Sequence, residues 1–210
     1  WVIAGASTGW TRVWGLTVAE GQLQRVLLHT GALEPVGPLD RQIADLAFLP
    51  DGRLLGIDPD ADLLVEIDPQ TAATSVIGPL GIDVLQTGGA LAGRTNGELW
   101  LGVEYGLFQL DPHTGTATHV CETDVYCGGL SWHQGELYWM AYGVFSVDPD
   151  TCTTSIVLLD SGTDGLDSDG RLLYTLDRWF PGPWGGGSVS IWWIDPATAQ
   201  DGRLGTASVP

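Results

Sequence analysis

The sequence predicts an all-β fold built from repeated four-stranded sheets, and three observations lead there. An Asp-Pro-x-Thr turn recurs at Asp68, Asp111, Asp148 and Asp195, spaced 43, 37 and 47 residues apart. A second turn signal precedes each of them, at Asp51-Gly52, Asn96-Gly97, Gln134-Gly135 and Asp169-Gly170. Between the two signals lie short apolar runs of strand length rather than helix length. A period of about 40–45 residues with four strands to the unit is the pattern of a β-propeller.

The fullest unit runs from Leu46 to Gly78. Its first two strands flank Asp51-Gly52, a pair that tolerates the positive φ of a two-residue hairpin. The third and fourth flank Asp68-Pro69-Gln70-Thr71, where proline pre-sets one turn dihedral and the Asp and Thr side chains cap nearby N–H groups. These turn residues therefore need no catalytic explanation. The second strands, Leu54-Leu55-Gly56-Ile57, Leu99-Trp100-Leu101-Gly102-Val103, Leu137-Tyr138-Trp139-Met140 and Leu172-Leu173-Tyr174-Thr175-Leu176, are near-continuous apolar runs, as expected of strands covered on both faces. The blades are expected over residues 1–34, 43–81, 88–121, 128–160 and 164–209. In the opening unit, Trp14 to Gly21 reads as a degenerate copy of the Asp-Pro turn and Trp1 to Ala6 as a second strand. The first of the five blades is then incomplete, lacking its innermost strand. Either that strand precedes Trp1, or Thr206 to Pro210 closes the ring in its place.

Composition bounds the rest. The chain has 210 residues, enough for one substantial core and a single domain, and its 30 glycines and 12 prolines sit at turns. The formal charge of −18 sets 26 acids against eight basic residues, all arginine. Such a surface repels phosphate backbones and anionic lipid, which argues against nucleic-acid partners and membrane-surface docking. No apolar run is long enough to span a bilayer. The start at Trp1, with neither methionine nor a charged-then-apolar leader, reads as a processed or trimmed N-terminus, compatible with secretion.

The repeat resembles those of secreted or surface-exposed bacterial β-propellers of the NHL, YVTN and quinoprotein-like kind. Phe48-Leu49-Pro50-Asp51-Gly52-Arg53-Leu54-Leu55-Gly56-Ile57-Asp58 and Ile77-Gly78-Pro79-Leu80-Gly81 carry the likeness most fully. It covers essentially the whole chain, and its motifs specify turns and strands rather than an activity. Kelch repeats share the Asp-Pro-x-Thr turn, but their diglycine and following tryptophan are missing here, as are the Gly-His and Trp-Asp pairs of WD40 repeats. The resemblance implies an extracellular or cell-surface location, with the periplasm as an alternative.

Propellers of this kind bind ligands on the face that carries the second-to-third strand loops and the blade-to-blade loops. Trp10, Tyr105 and Tyr142 are expected there, as is the longest departure from the repeat, Asp177 to Ser188. That segment holds Arg178, Trp179, Phe180 and Trp184. Aromatic rings on an oversized loop can stack on sugars or pack against a protein, or can simply roof the blade edge. Asp58, Asp60 and Asp62 offer hard oxygen ligands for Ca2+ at alternate positions, although the remaining positions of an EF-hand loop do not follow; Asp164, Asp167 and Asp169 look similar, but Asp169-Gly170 aligns with an ordinary hairpin turn. No other cofactor is expected.

The three cysteines contain no Cys-x-x-Cys pair. Cys121 and Cys127 flank one blade-to-blade corner and are expected to pair, leaving Cys152 free or intermolecular. The histidines at 29, 113, 119 and 133 are scattered, with His113 and His133 expected as solvated turn residues, and no nucleophile elbow is present. The expected function is a non-enzymatic extracellular binding or scaffolding propeller that engages a protein partner or assembles with itself. A lectin-like binder of glycan or another small ligand is the alternative. An enzyme of lyase or quinoprotein type would need an acid–base or metal cluster that the sequence does not display.

Overall fold

The Asp-Pro turns fold as their chemistry dictates. Carboxylates of Asp68, Asp111, Asp148 and Asp195 accept the N–H two residues on, at 2.7, 2.8, 2.9 and 3.0 Å. In the first three, the N–H four residues on donates to the Asp carbonyl, and the donors Ala72, Gly115 and Cys152 all have positive φ. This local closure turns the chain tightly enough to pair the flanking strands. The computed structural model describes residues 4–6, 14–19, 21–27, 32–84, 89–159, 164–179 and 187–209.

Five antiparallel four-stranded sheets result, and no helix occurs among the described residues. The first contains β1 (Ala4–Ala6), β2 (Trp14–Ala19), β3 (Gln22–Leu27) and β4 (Ala32–Pro38). The second contains β5 (Leu46–Phe48), β6 (Leu54–Asp58), β7 (Leu63–Ile67) and β8 (Thr74–Pro79). Then come β9 (Ala90–Gly93), β10 (Leu99–Val103), β11 (Gly106–Leu110) and β12 (Ala117–Glu122). The fourth has β13 (Gly129–His133), β14 (Glu136–Met140), β15 (Gly143–Val147) and β16 (Thr154–Leu159). The last has β17 (Asp164–Ser168), β18 (Leu173–Trp179), β19 (Gly187–Asp195) and β20 (Gln200–Val209). Within each sheet the strands pair in chain order.

The first strands ring the axis. β1 packs on β5, β5 on β9, β9 on β13, β13 on β17, and β17 back on β1, while β20 meets β4 at the rim. The chain is a closed five-bladed β-propeller. The opening blade is complete, contrary to the expectation of a missing innermost strand. Its inner place is taken by β1, the segment aligned above as a second strand, so the alignment was offset by one strand. Trp14 to Ala19, read as the copy of the Asp-Pro turn, is accordingly a second strand. No C-terminal strand is needed in the first sheet, because Thr206 to Val209 extend β20 on β19.

The core lies between blades. One apolar layer joins β9 and β10 to β13, β14 and β15 through Trp100, Trp132, Trp139 and Phe145. Another joins the second and third blades through Leu55, Ile57, Leu64, Leu99 and Leu101. Second strands are covered on both faces, as β6 shows by having every residue buried. Outer strands such as β12 and β16 face water along most of their length.

Every outer ladder carries a register shift at the same place, and the residue just beyond it is Gly37, Gly78, Cys121, Leu158 or Gly205. In the first three blades this position meets the Asp-Pro turn of the next blade. A Cβ at Gly78 would collide with the carbonyl oxygen of Thr114, and one at Gly37 would crowd Thr71 and Ala72. Cys121 occupies the same position opposite Cys152, and there a disulfide joins the two blades, with Cα atoms 6.1 Å apart. The expected Cys121–Cys127 bond is therefore replaced by Cys121–Cys152, and Cys127 is a free, buried thiol. Burial raises the Cys127 thiol well above its ordinary pKa.

Candidate functional site

Antiparallel order divides the connections between two faces. Second-to-third and blade-to-blade connections fall on one, called here the tyrosine face, and first-to-second connections on the other, the hairpin face.

On the tyrosine face, Glu104 and Tyr105 form the tight turn between β10 and β11, with Glu104 at φ 54°. A non-glycine residue in that region is strained by about 1–3 kcal/mol and needs neighbours to hold it. The corner between β12 and β13 supplies them. The N–H of Cys127 donates to the Glu104 carbonyl (2.6 Å) and that of Thr123 to the Tyr105 carbonyl (2.7 Å). The Thr123 hydroxyl, itself buried, lies 3.0 Å from the Tyr105 carbonyl and 2.9 Å from that of Val125. This scaffold sets the rings of Tyr105 and Tyr126 edge to face, 5.9 Å apart, with 48% and 43% of each residue exposed. In the next blade Tyr142 stands 67% exposed on the β14–β15 turn, its ring edge-on to buried Phe145 at 5.2 Å. Tyr126 was not singled out from the sequence; its place in a blade-to-blade corner beside Tyr105 was the available signal.

The Asp58-x-Asp60-x-Asp62 corner lies at the β6–β7 connection. Asp58 is buried, takes an ion pair from Arg41 at 2.8 Å, and accepts the N–H groups of Asp60 (3.1 Å) and Ala61 (3.3 Å). Asp62, at φ 52°, accepts the Val84 N–H at 2.8 Å. These carboxylates fasten the corner to the chain on either side. Among the described residues no group of three or more His, Cys, Asp or Glu side chains is arranged to hold a metal ion.

The segment expected as a long loop over Asp177 to Ser188 is ladder at both of its described ends, 177–179 and 187–188. β18 continues to Trp179, and Arg178 and Trp179 pair with Val189 and Ser188 of β19. Phe180, Trp184 and Trp10 lie outside the described residues.

The hairpin face holds a cavity of about 590 Å3 on the axis. The ends of β5, β9, β13 and β17 line it, with Leu46 and Leu91 among its apolar residues and Arg94, Trp132 and Asp167 among its polar ones. Arg94 lies 4.1 Å over the Trp132 ring and pairs with Glu98 at 2.8 Å. His133 is 4% exposed, not solvated as expected. Its Nδ1 sits 2.8 Å from the Ser168 hydroxyl, and burial lowers its pKa. Beside it, the Gln134 amide donates to the Gly170 carbonyl at 3.3 Å. The two contacts tie the first hairpins of the fourth and fifth blades together. At the start of β5, Asp45 accepts the Leu46 N–H (2.7 Å) and, across the blade boundary, the Leu91 N–H (2.6 Å). Burial nonetheless pushes its pKa up to about 8.

No protein-family model matches the chain, and no curated protein matches it in sequence. Solved structures do match in fold. A protein in a nidogen/laminin complex superposes with a TM-score of 0.62 at 14% identity, covering 100% of this chain and 85% of that one. A structural genomics protein of unknown function from Bacteroides thetaiotaomicron gives 0.61 at 13% identity, over 82% and 55%. Virginiamycin B lyase from Staphylococcus aureus gives 0.55 at 12% identity, over 96% and 68%. At such identities the likeness concerns the fold, and it includes both a propeller from a protein complex and a lyase.

Proposed function

We propose that this chain is a non-catalytic extracellular propeller that binds a protein partner, or a second copy of itself, through the tyrosine face. The observation that carries this reading is the exposure of Tyr105, Tyr126 and Tyr142 on rigid turns of adjacent blades. Tyrosine offers large contact area with only two side-chain torsions to freeze, and is enriched at binding hot spots. The interblade disulfide supports an oxidising compartment. A propeller in a protein complex among the structural matches is compatible with the same use of the fold. Packing accounts for the His133–Ser168 contact, so it calls for no catalytic role.

Replacing Tyr105 and Tyr142 with alanine tests the proposal. The double variant is expected to keep the melting temperature while weakening binding at least tenfold, since each ring at a hot spot contributes about 1–2 kcal/mol or more. Binding is measured by sedimentation equilibrium for self-assembly and by selection against displayed extracellular proteins. Unchanged binding in the double variant contradicts the proposal. Hits confined to a glycan array favour the lectin-like alternative instead.

A further inference from the structure

We infer that the occupant of the tyrosine face is a different chain carrying an arginine-rich segment, whose guanidinium groups lie against the exposed rings and the carboxylates beside them. The inference rests on the reading of that face as the binding surface, and narrows it to one partner chemistry. The three rings share one scaffold. Tyr126 precedes Cys127 and Gly128, whose N–H groups reach the Glu104 carbonyl of the third blade (2.6 Å) and the Met140 carbonyl of the fourth (2.7 Å). The corner that carries Tyr126 is thereby tied to the turns that carry Tyr105 and Tyr142.

Charge decides what can settle there. Glu104 adjoins Tyr105 in its turn, is exposed, and its carboxylate has no ion pair or hydrogen bond among the described residues. Asp124, two residues before Tyr126, is exposed and accepts only the Thr154 hydroxyl, at 2.6 Å. Glu122, at the end of β12, pairs with His119 at 3.0 Å. No arginine or lysine offsets these acids. From Thr95 to Gly170 the chain has twelve acids and neither basic residue. Arg94, just before that stretch, belongs to the hairpin face and is paired with Glu98.

Such a surface attracts a basic partner and repels a second copy. A two-fold contact would set Glu104 and Asp124 against the same residues of the copy, between chains that each carry −18. Arginine suits the site better than lysine, because its planar guanidinium stacks on a tyrosine ring and still presents its fork to a carboxylate.

The test is a displayed library of random dodecapeptides, selected on wild-type protein at low salt. Peptides that bind wild type and not the Tyr105→Ala/Tyr142→Ala variant are expected to carry arginine about threefold more often than the starting library. Their affinity should fall about tenfold between roughly 0.05 and 0.5 M NaCl, as exposed charge contacts are screened. Glu104→Gln should weaken them about fivefold. Asp150→Asn should not, although it removes an equal charge from an exposed acid on the opposite face. Peptides that need the two tyrosines but are no richer in arginine overturn the partner chemistry and leave the face as a binding surface. Self-association of wild type that is lost in the double tyrosine variant does the same, by putting a second copy there. Arginine-rich peptides weakened alike by Glu104→Gln and Asp150→Asn reduce the effect to overall charge and overturn the inference. A selection that yields no peptide dependent on the two tyrosines overturns it together with the reading beneath it.

Discussion

At the scale of single residues, Asp45 has the largest effect on how stability responds to pH. The folded protein holds its proton up to about pH 8, because the surroundings cannot solvate the charge, whereas an unfolded Asp releases it near its ordinary value of 3.8. The folded state therefore carries the extra proton between those limits, and stability falls as pH rises through them. His133 acts in the opposite sense below its ordinary value of 6.5, since burial disfavours its charged form. The lowered carboxylates of Asp51, Asp68, Asp111 and Asp148 contribute only as pH falls towards and below their ordinary range. Between about pH 6.5 and 8, urea melts should thus show stability declining by about 1 kcal/mol per pH unit. Asp45→Asn should flatten that slope, even though it weakens the fold by disturbing the Leu91 contact. A wild-type curve flat across this window would place the Asp45 proton elsewhere. None of this was legible in the sequence, where Asp45 is one acid among 26 and its burial depends on the neighbouring blade. His133 was misjudged for the same reason: a residue next to a hairpin turn looks solvated until the adjacent hairpin covers it.

At the scale of elements, strands and turns were readable because their signals are local. Asp-Gly and Asp-Pro determine φ within a few residues, and an apolar run of five identifies a strand covered on both faces. The contact between an outer strand and the next blade's turn is not local, and there the sequence misled. Cys121 and Cys127 are near in the chain, yet Cys121 shares its position with Gly37 and Gly78, and Cys152 shares its position with Ala72 and Gly115. Small residues at both positions in neighbouring blades were the signal for the correct pairing. Thiol counting checks it. After denaturation without reductant, wild type should show one thiol, Cys127→Ala none and Cys152→Ala two, whereas a Cys121–Cys127 bond would leave Cys152→Ala with none. The bond spans 31 residues, so losing it should lower stability by about 3–4 kcal/mol. The opening blade shows the converse limit: its degenerate turn lacks Asp-Pro, and without that anchor the strands were assigned one place out of step.

At the scale of the whole molecule, ring closure turns five similar blades into two different faces. Repeats with equivalent loops would present five equivalent sites, but here aromatic residues gather on the tyrosine face of the third and fourth blades, while the hairpin face opens into the axial cavity. The sequence placed Tyr105 and Tyr142 on one face through the strand order alone. It did not reveal the cavity, whose wall is assembled from blade ends far apart in the chain. Site-specific photocrosslinking compares the two faces directly: benzoylphenylalanine replaces Tyr105 or Tyr142 on one and Gln134 on the other, in the protein displayed on a cell surface. Discrete crosslinked protein species, or crosslinked dimers, are expected from positions 105 and 142 and not from 134. Crosslinks from 134 alone, or from none of the three, would contradict the assignment of partner binding to the tyrosine face.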